Sequence, residues 1–243
     1  MLQYSSDGIV FRTIKYGETS LICDILTRAK GLRSFIVSGV RKSKSSGNSV
    51  LYKPLNLVNI VAYDKDVEKL ARIKEISLTH HFQTINVDVV ISSVAMFMLE
   101  VVRNALKERE PNPELFDFIR SWFVFLDDKA KFNPNSHLVF MYELSRYMGF
   151  EPLDNYGQEK PYFDMLEGSF SNIGTGSDYF MNAEESRGFY DICRSSMNKM
   201  DQLRLNKLTR NNLTDLWIKY YSMHVPGFKE VYSLQVLRSI MKE

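Results

Sequence analysis

Over the first 80 residues, apolar and polar side chains alternate in short runs separated by turn-forming residues. The runs are 8–14, 21–26, 32–40, 55–63 and 70–78, rich in Val, Ile, Leu and Tyr. A period of two sends successive side chains to opposite faces, as in a half-buried strand. Tyr16-Gly17-Glu18, Arg28-Ala29-Lys30-Gly31 and Asp64-Lys65-Asp66 supply turn chemistry. Residues 41–49 are polar and small, a flexible loop with no reason to pack. Five short strands in roughly 75 residues predict a five-stranded OB-fold β-barrel.

From about Asp88 the period changes to 3.6. Residues 88–109 predict a helix, apolar nearly all round in its first half and so expected at the centre of the back domain. Pro111 and Pro113 restart the chain, and 114–126 forms the next helix with Phe116, Ile119, Phe123 and Leu126 on one stripe. Ser136 is the expected cap of a helix to Met148 that Gly149 ends. Residues 150–181 read as irregular, with a hairpin at 164–169. Asn182 with Glu185 resembles a capping box for a helix to about Asn198. Thr209 or Asn212 opens another, with Leu213, Leu216, Trp217, Tyr220 and His224 on one face, and Ser233 starts a short last helix. The predicted fold is two-domain α+β: an OB-fold over 1–80, then an all-α domain over 81–243 with a hairpin-containing insertion around 150–181.

Charge sharpens this division. The 243 residues carry +2 overall, but residues 1–80 hold 13 Lys+Arg against 7 Asp+Glu, and the remainder 18 against 22. Between Asp24 and Asp64 there is no acidic residue, yet Arg28, Lys30, Arg33, Arg41, Lys42, Lys44 and Lys53 fall there. A β-structured surface of one sign attracts a polyanion, nucleic acid above all. Tyr16, Phe35, Tyr52 and Tyr63 are interleaved with these cations. Phosphate-tracking cations and exposed rings on which bases stack are what single-strand binders need. The candidate DNA-binding set is therefore Lys15, Tyr16, Arg28, Lys30, Arg33, Arg41, Lys42, Lys44, Tyr52 and Lys53. Phe35 reads as core, whereas Tyr52 and Tyr63, beside loops, fit either core or stacking ring. A second cluster, Arg194, Lys199, Arg204, Lys207 and Arg210, is interleaved with Met and Leu. It suits an acidic, partly apolar peptide or a second stretch of nucleic acid, or simply a solvated helix edge.

Enzyme chemistry finds little footing. There is no Gly-x-Ser-x-Gly elbow and no Walker loop, and Gly174-Thr175-Gly176 lacks a third glycine. His80 and His81 are adjacent, so a strand end would point them apart. No carboxylate pair has a reason for a displaced pKa. Cys23 and Cys193 give no disulfide framework and cannot alone bind zinc. The start lacks a signal peptide, and the most apolar stretch, 89–102, is broken by Ser92, Ser93 and Glu100. The expectation is a cytosolic protein without catalytic residues, cofactor or metal.

Several segments carry a family likeness. Gly8-Ile9-Val10-Phe11-Arg12-Thr13, Tyr16-Gly17-Glu18, Leu26-Thr27 with Gly31, and Gly39-Val40-Arg41-Lys42 resemble the opening of the RecO family of bacterial recombination mediators. The 94–106 helix, the helix end at 144–150 and Gly227-Phe228-Lys229 followed by Ser233-Leu234 continue the likeness in order. The resemblance implies an N-terminal OB-fold and a helical C-terminal domain. It also implies binding of single- and double-stranded DNA, annealing of complementary strands and contact with the acidic C-terminal tail of single-stranded DNA-binding protein. With RecR, such proteins help load RecA onto gaps, in the cytoplasm at the nucleoid. A scaffold whose basic barrel grips an acidic protein, and an RNA-binding OB protein, are the rival readings. One departure stands out: many members hold zinc through two Cys-x-x-Cys pairs, but 151–157 and 168–172 contain no cysteine here. Tyr156, Tyr162, Phe163 and Phe170 are expected to hold that loop instead.

Overall fold

The computed structural model describes residues 2–40, 47–63, 69–106, 110–174 and 177–241. Five strands form a closed barrel in the order β1-β2-β3-β5-β4. They are β1 (Gln3–Tyr16), β2 (Ser20–Thr27), β3 (Gly31–Val37), β4 (Leu57–Tyr63) and β5 (Ala71–Leu78). All neighbours are antiparallel except β3 and β5, which pair in parallel through Phe35↔Ala71 and Ile36↔Arg72. This is the OB-fold topology. The barrel core contains Val10, Leu21, Cys23, Ile25, Phe35, Val37, Tyr52, Val58, Ile60, Ala62 and Ala71. Each large aliphatic or Phe side chain taken wholly out of water there stabilises the fold by about 1.5–3 kcal/mol. Gly8 is required for closure, because a Cβ there would stand 2.7 Å from Ile25 Cγ2.

The first strand is longer than its apolar pattern predicts. Residues Gln3–Ile9 pair with β4 and Gly8–Tyr16 with β2, with a bulge between Val10 and Arg12. The bulge inserts an extra residue and bends the strand, so one strand serves two neighbours. Ile9, Val10 and Phe11 are all buried in succession, as a strand covered on both faces requires. Val10 points into the barrel. Ile9 pairs with Leu26 and with Leu57, an apolar row of opposite parity on the outside. That row is buried, and α2 (Val89–Ala105) packs against β1.

Before β4 the chain makes one helical turn, α1 (Gly47–Val50), then a tight turn in which Asn56 N–H donates to Lys53 C=O at 3.2 Å. Pro54 and Leu55 are its central residues. Leu55 has φ of 76°, unusual for a branched side chain. Burial of its side chain and an N–H bond to Val10 C=O at 2.9 Å offset that strain. The turn tucks Tyr52 into the barrel, where Thr13 Oγ1 donates to its carbonyl at 2.6 Å.

The chain divides into two compact units, 1–130 and 131–243. The change from strand to helix lies near residue 80, but α2 and α3 (Pro113–Leu126) group with the barrel. The apolar helix α2 is therefore part of the first unit rather than the centre of the second. A non-local ion pair contributes: Arg28 Nη2 lies 2.9 Å from Asp117 Oδ2, and Arg28 Nε 3.0 Å from Oδ1. Asp88 caps α2 through Val90 and Ile91 N–H, and Asn112 caps α3 through Leu115 N–H. Asp127, just past α3, accepts the N–H groups of Gln83, Thr84 and Ile85. Burial pushes its carboxyl up, but these bonds and His80 outweigh it and hold the pKa below the ordinary value.

The second unit holds α4 (Ser136–Tyr147), a hairpin of β6 (Tyr162–Asp164) and β7 (Ser169–Ser171), α5 (Ala183–Cys193), α6 (Lys207–His224) and α7 (Ser233–Ile240). The capping box at Asn182 and Glu185 is present, but α5 ends at Cys193, short of the predicted Asn198. Asn206 caps α6 three residues before Thr209 and six before Asn212, the two openings the sequence offered. The centre is aromatic: Phe163 lies 4.4 Å from Phe189, Phe189 stacks on Trp217 at 4.4 Å, and Tyr220 touches Phe163, Phe189 and Trp217. Gly168, at φ of 64°, turns the hairpin where a Cβ would stand 2.8 Å from Tyr220 Oη.

Candidate nucleic-acid interface

Register assigns the outer face of the barrel residue by residue. Because Leu21, Cys23, Ile25, Phe35 and Val37 fill the interior, their neighbours in β2 and β3 point outward. Ile14 pairs with Ile22, Ile22 with Ile36, and Ile36 with Arg72, one apolar row across four strands ending in a cation. On one side lies a polar row, Arg12–Asp24–Ser34. Its members are joined by Arg12 Nε–Asp24 Oδ2 at 3.0 Å and Ser34 Oγ–Asp24 Oδ1 at 2.6 Å. On the other side stands Tyr16, 52% exposed, opposite Ser20 at the β1–β2 turn. Lys15 is exposed at the same barrel end, and Arg72 and Lys74 are exposed on β5, Lys74 within 3.5 Å of Glu75. This is the strand face on which OB-folds take oligonucleotides. A flat aliphatic strip suits the face of a base or sugar, Tyr16 offers a ring for stacking, and the cations at the edges suit phosphates.

The sequence-derived set divides on this map. Lys15, Tyr16 and the exposed Lys53 are presented to solvent. Arg28, Lys30 and Arg33 belong to the β2–β3 hairpin, at the other end of β2 from Tyr16. There Arg28 is engaged by Asp117, whose hydrogen bond raises the guanidinium pKa and lowers that of the carboxyl. Lys30 Nζ lies 5.7 Å from the centre of the Tyr4 ring, and Arg33 Nη1 donates to Leu32 C=O at 3.2 Å. Among the described residues these cations lie at both ends of β2 rather than on one patch. Tyr52 is a correction: at 5% exposure it is barrel core, with its phenol pushed up to about 12 by burial and then by Cys23 beside it. It presents no ring for stacking. Phe35 is fully buried and Tyr63 half-buried. Arg41, Lys42 and Lys44 lie outside the described residues. Arg12, Ile14, Ile22, Ile36 and Arg72 were missed, since only strand pairing aligns them.

In the second unit, Arg194, Lys199 and Arg204 do come together. With Arg187, Asp191, Ser195, Leu203 and Leu205 they line a groove of about 360 Å³. Arg187 pairs with Asp191 at 3.2 Å, and Arg194 with Asp154 at 2.9 Å. Lys207 and Arg210 are not in it. Arg210 is half-buried, which lowers its pKa, and faces Leu205 C=O. His137 is buried against Thr214 at 2.9 Å, its pKa pushed down to about 3 by burial and then by Arg210.

Two family profiles match this chain: one described as Recombination protein O N terminal over residues 1–82, and one as Recombination protein O C terminal over 87–155. A DNA repair protein RecO of Phocaeicola vulgatus is 34% identical over 96% of this chain and 97% of its own. The chain belongs to the RecO family. DNA repair proteins RecO of Flavobacterium psychrophilum and Bacteroides fragilis are each 32% identical, covering 98% and 96% of this chain and 99% and 97% of their own. This RecO-family chain is thus a DNA repair protein of barrel-plus-helices architecture.

The zinc site of cysteine-bearing RecO proteins does not fit these residues. Where the first cysteine pair would stand, Asp154 is bound to Arg194, Asn155 pairs with both the N–H and C=O of Phe170, and Tyr156 stacks on Tyr190 at 4.6 Å. Among the described residues no group of three or more His, Cys, Asp or Glu could hold a metal. Among them, too, no helix is long and apolar enough to cross a membrane.

Proposed function

We propose that this chain is a non-catalytic recombination mediator that holds single-stranded DNA on the outer face of β1, β2, β3 and β5. It binds double-stranded DNA through the same cations, by phosphate contact alone, and anneals complementary strands. Annealing needs no catalytic group, because neutralised phosphates repel less and base pairing drives the rest. With RecR it helps place RecA on gaps coated by single-stranded DNA-binding protein, whose acidic C-terminal tail docks in the Arg194–Lys199–Arg204 groove. Its place is the cytoplasm, at the nucleoid, and it needs no cofactor. The observation that carries the reading is the row Ile14–Ile22–Ile36–Arg72 flanked by an exposed Tyr16.

The test is a titration of single-stranded DNA against salt. Contact with four to six phosphates gives a log–log slope of roughly −3 to −4, a loss of about 50- to 300-fold between about 50 and 200 mM salt. Replacing Arg41, Lys42 and Lys44 with alanine weakens all oligonucleotides about equally and flattens the slope. A slope near zero overturns DNA binding and leaves the scaffold reading. A clear preference for ribose strands favours RNA.

A further inference from the structure

Between the short helical turn Met200–Gln202 and α6, the chain runs extended. Leu203 has φ/ψ of −79°/104° and Asn206 −71°/167°. Burial alternates: Leu203 buried, Arg204 exposed, Leu205 half-buried, Asn206 exposed. One edge of this segment is taken, since Asn135 Nδ2 donates to Leu203 C=O at 3.0 Å and Arg210 Nη1 reaches Leu205 C=O at 3.5 Å. The other edge is open. Among the described residues, Arg204 N–H, Arg204 C=O and Asn206 N–H have no hydrogen-bond partner. Alternate residues of an extended chain aim these groups the same way, so they form one short pairing edge.

The surroundings select an occupant. Arg204 and Lys199 line the adjoining groove, and among the described residues neither is held in an ion pair. Leu203 and Leu205 also line it. A strand laid against Arg204 and Asn206 would bring every second side chain beside Arg204 and the alternate ones beside Leu205. We propose that an acidic peptide segment docks here by strand addition. It pairs its main chain with Arg204 and Asn206, its carboxylates with Lys199 and Arg204, and its alternate apolar side chains with Leu205. Main-chain bonds then give affinity and the alternating side chains give specificity. This rests on the groove being a peptide site, as proposed above, and adds how the peptide is held.

The probe is a synthetic peptide in which aspartate alternates with leucine or phenylalanine, titrated against the full chain. Binding is expected to slow amide exchange at Arg204 and Asn206 on the order of tenfold and to spare Leu205. N-methylating alternate peptide residues should weaken binding about tenfold, whereas the intervening positions tolerate it. Lys199→Glu combined with Arg204→Glu should abolish binding. If the peptide binds with that charge dependence but shows neither protection nor N-methyl sensitivity, strand addition is overturned and the peptide site stands. If the peptide fails to bind while single-stranded DNA binds and is lost in the double variant, the groove takes nucleic acid and the peptide reading itself falls. Binding of neither overturns both.

Discussion

Replacing Tyr16 with alanine is expected to weaken single-stranded DNA binding by about 1–3 kcal/mol, roughly five- to 150-fold. The ring is half exposed at a strand end, and no ring–ring contact holds it among the described residues. Its removal should therefore leave the melting temperature nearly unchanged. Affinity is measured by fluorescence anisotropy with a labelled oligonucleotide, and folding by circular dichroism. The contrast is Tyr52→Ala, which takes a ring out of the barrel core and should cost stability instead. Unchanged affinity in Tyr16→Ala would remove the exposed face from the interface.

Phe163→Ala is expected to cost the second unit about 3–5 kcal/mol. Phe163 is wholly buried, touches Phe170, Phe189 and Tyr220, and links the hairpin to α5 and α6. Its backbone is tied to α5 as well, through an N–H bond to Ser186 Oγ at 2.8 Å. The hairpin is held by rings and by Asn155, whose amide pairs with Phe170 as a neighbouring strand would. Urea unfolding followed by tryptophan fluorescence measures the loss, with two transitions allowed because Trp122 reports the first unit and Trp217 the second. The same transition should not move when the wild-type protein is treated with a chelator. A chelator-induced shift would mean that metal holds the hairpin after all.

The barrel was legible because a period of two survives wherever one face of a strand is buried. It failed over residues 3–7, where Tyr4-Ser5-Ser6-Asp7 carries no apolar alternation and only pairing with β4 makes a strand. Tyr52 escaped because a turn at Pro54 and Leu55 carries it inward, which its basic neighbours in sequence do not signal. The engagement of Arg28 depends on Asp117, 89 residues away. The outer isoleucine row exists only once four strands are in register, and register is a non-local property. The groove was half legible. Because α5 stops at Cys193, Arg194 and Lys199 reach Arg204, while Lys207 and Arg210 are carried off on α6.

The row Ile9–Leu26–Leu57 has a practical consequence for anyone cutting this protein apart. Trimming at residue 80 removes α2 and α3 and leaves three greasy side chains bare on the outside of a freestanding barrel. Such a fragment should aggregate on expression, whereas one ending at residue 130 should stay monodisperse in size-exclusion chromatography. Oligonucleotide assays on the shorter piece would then measure stickiness rather than recognition.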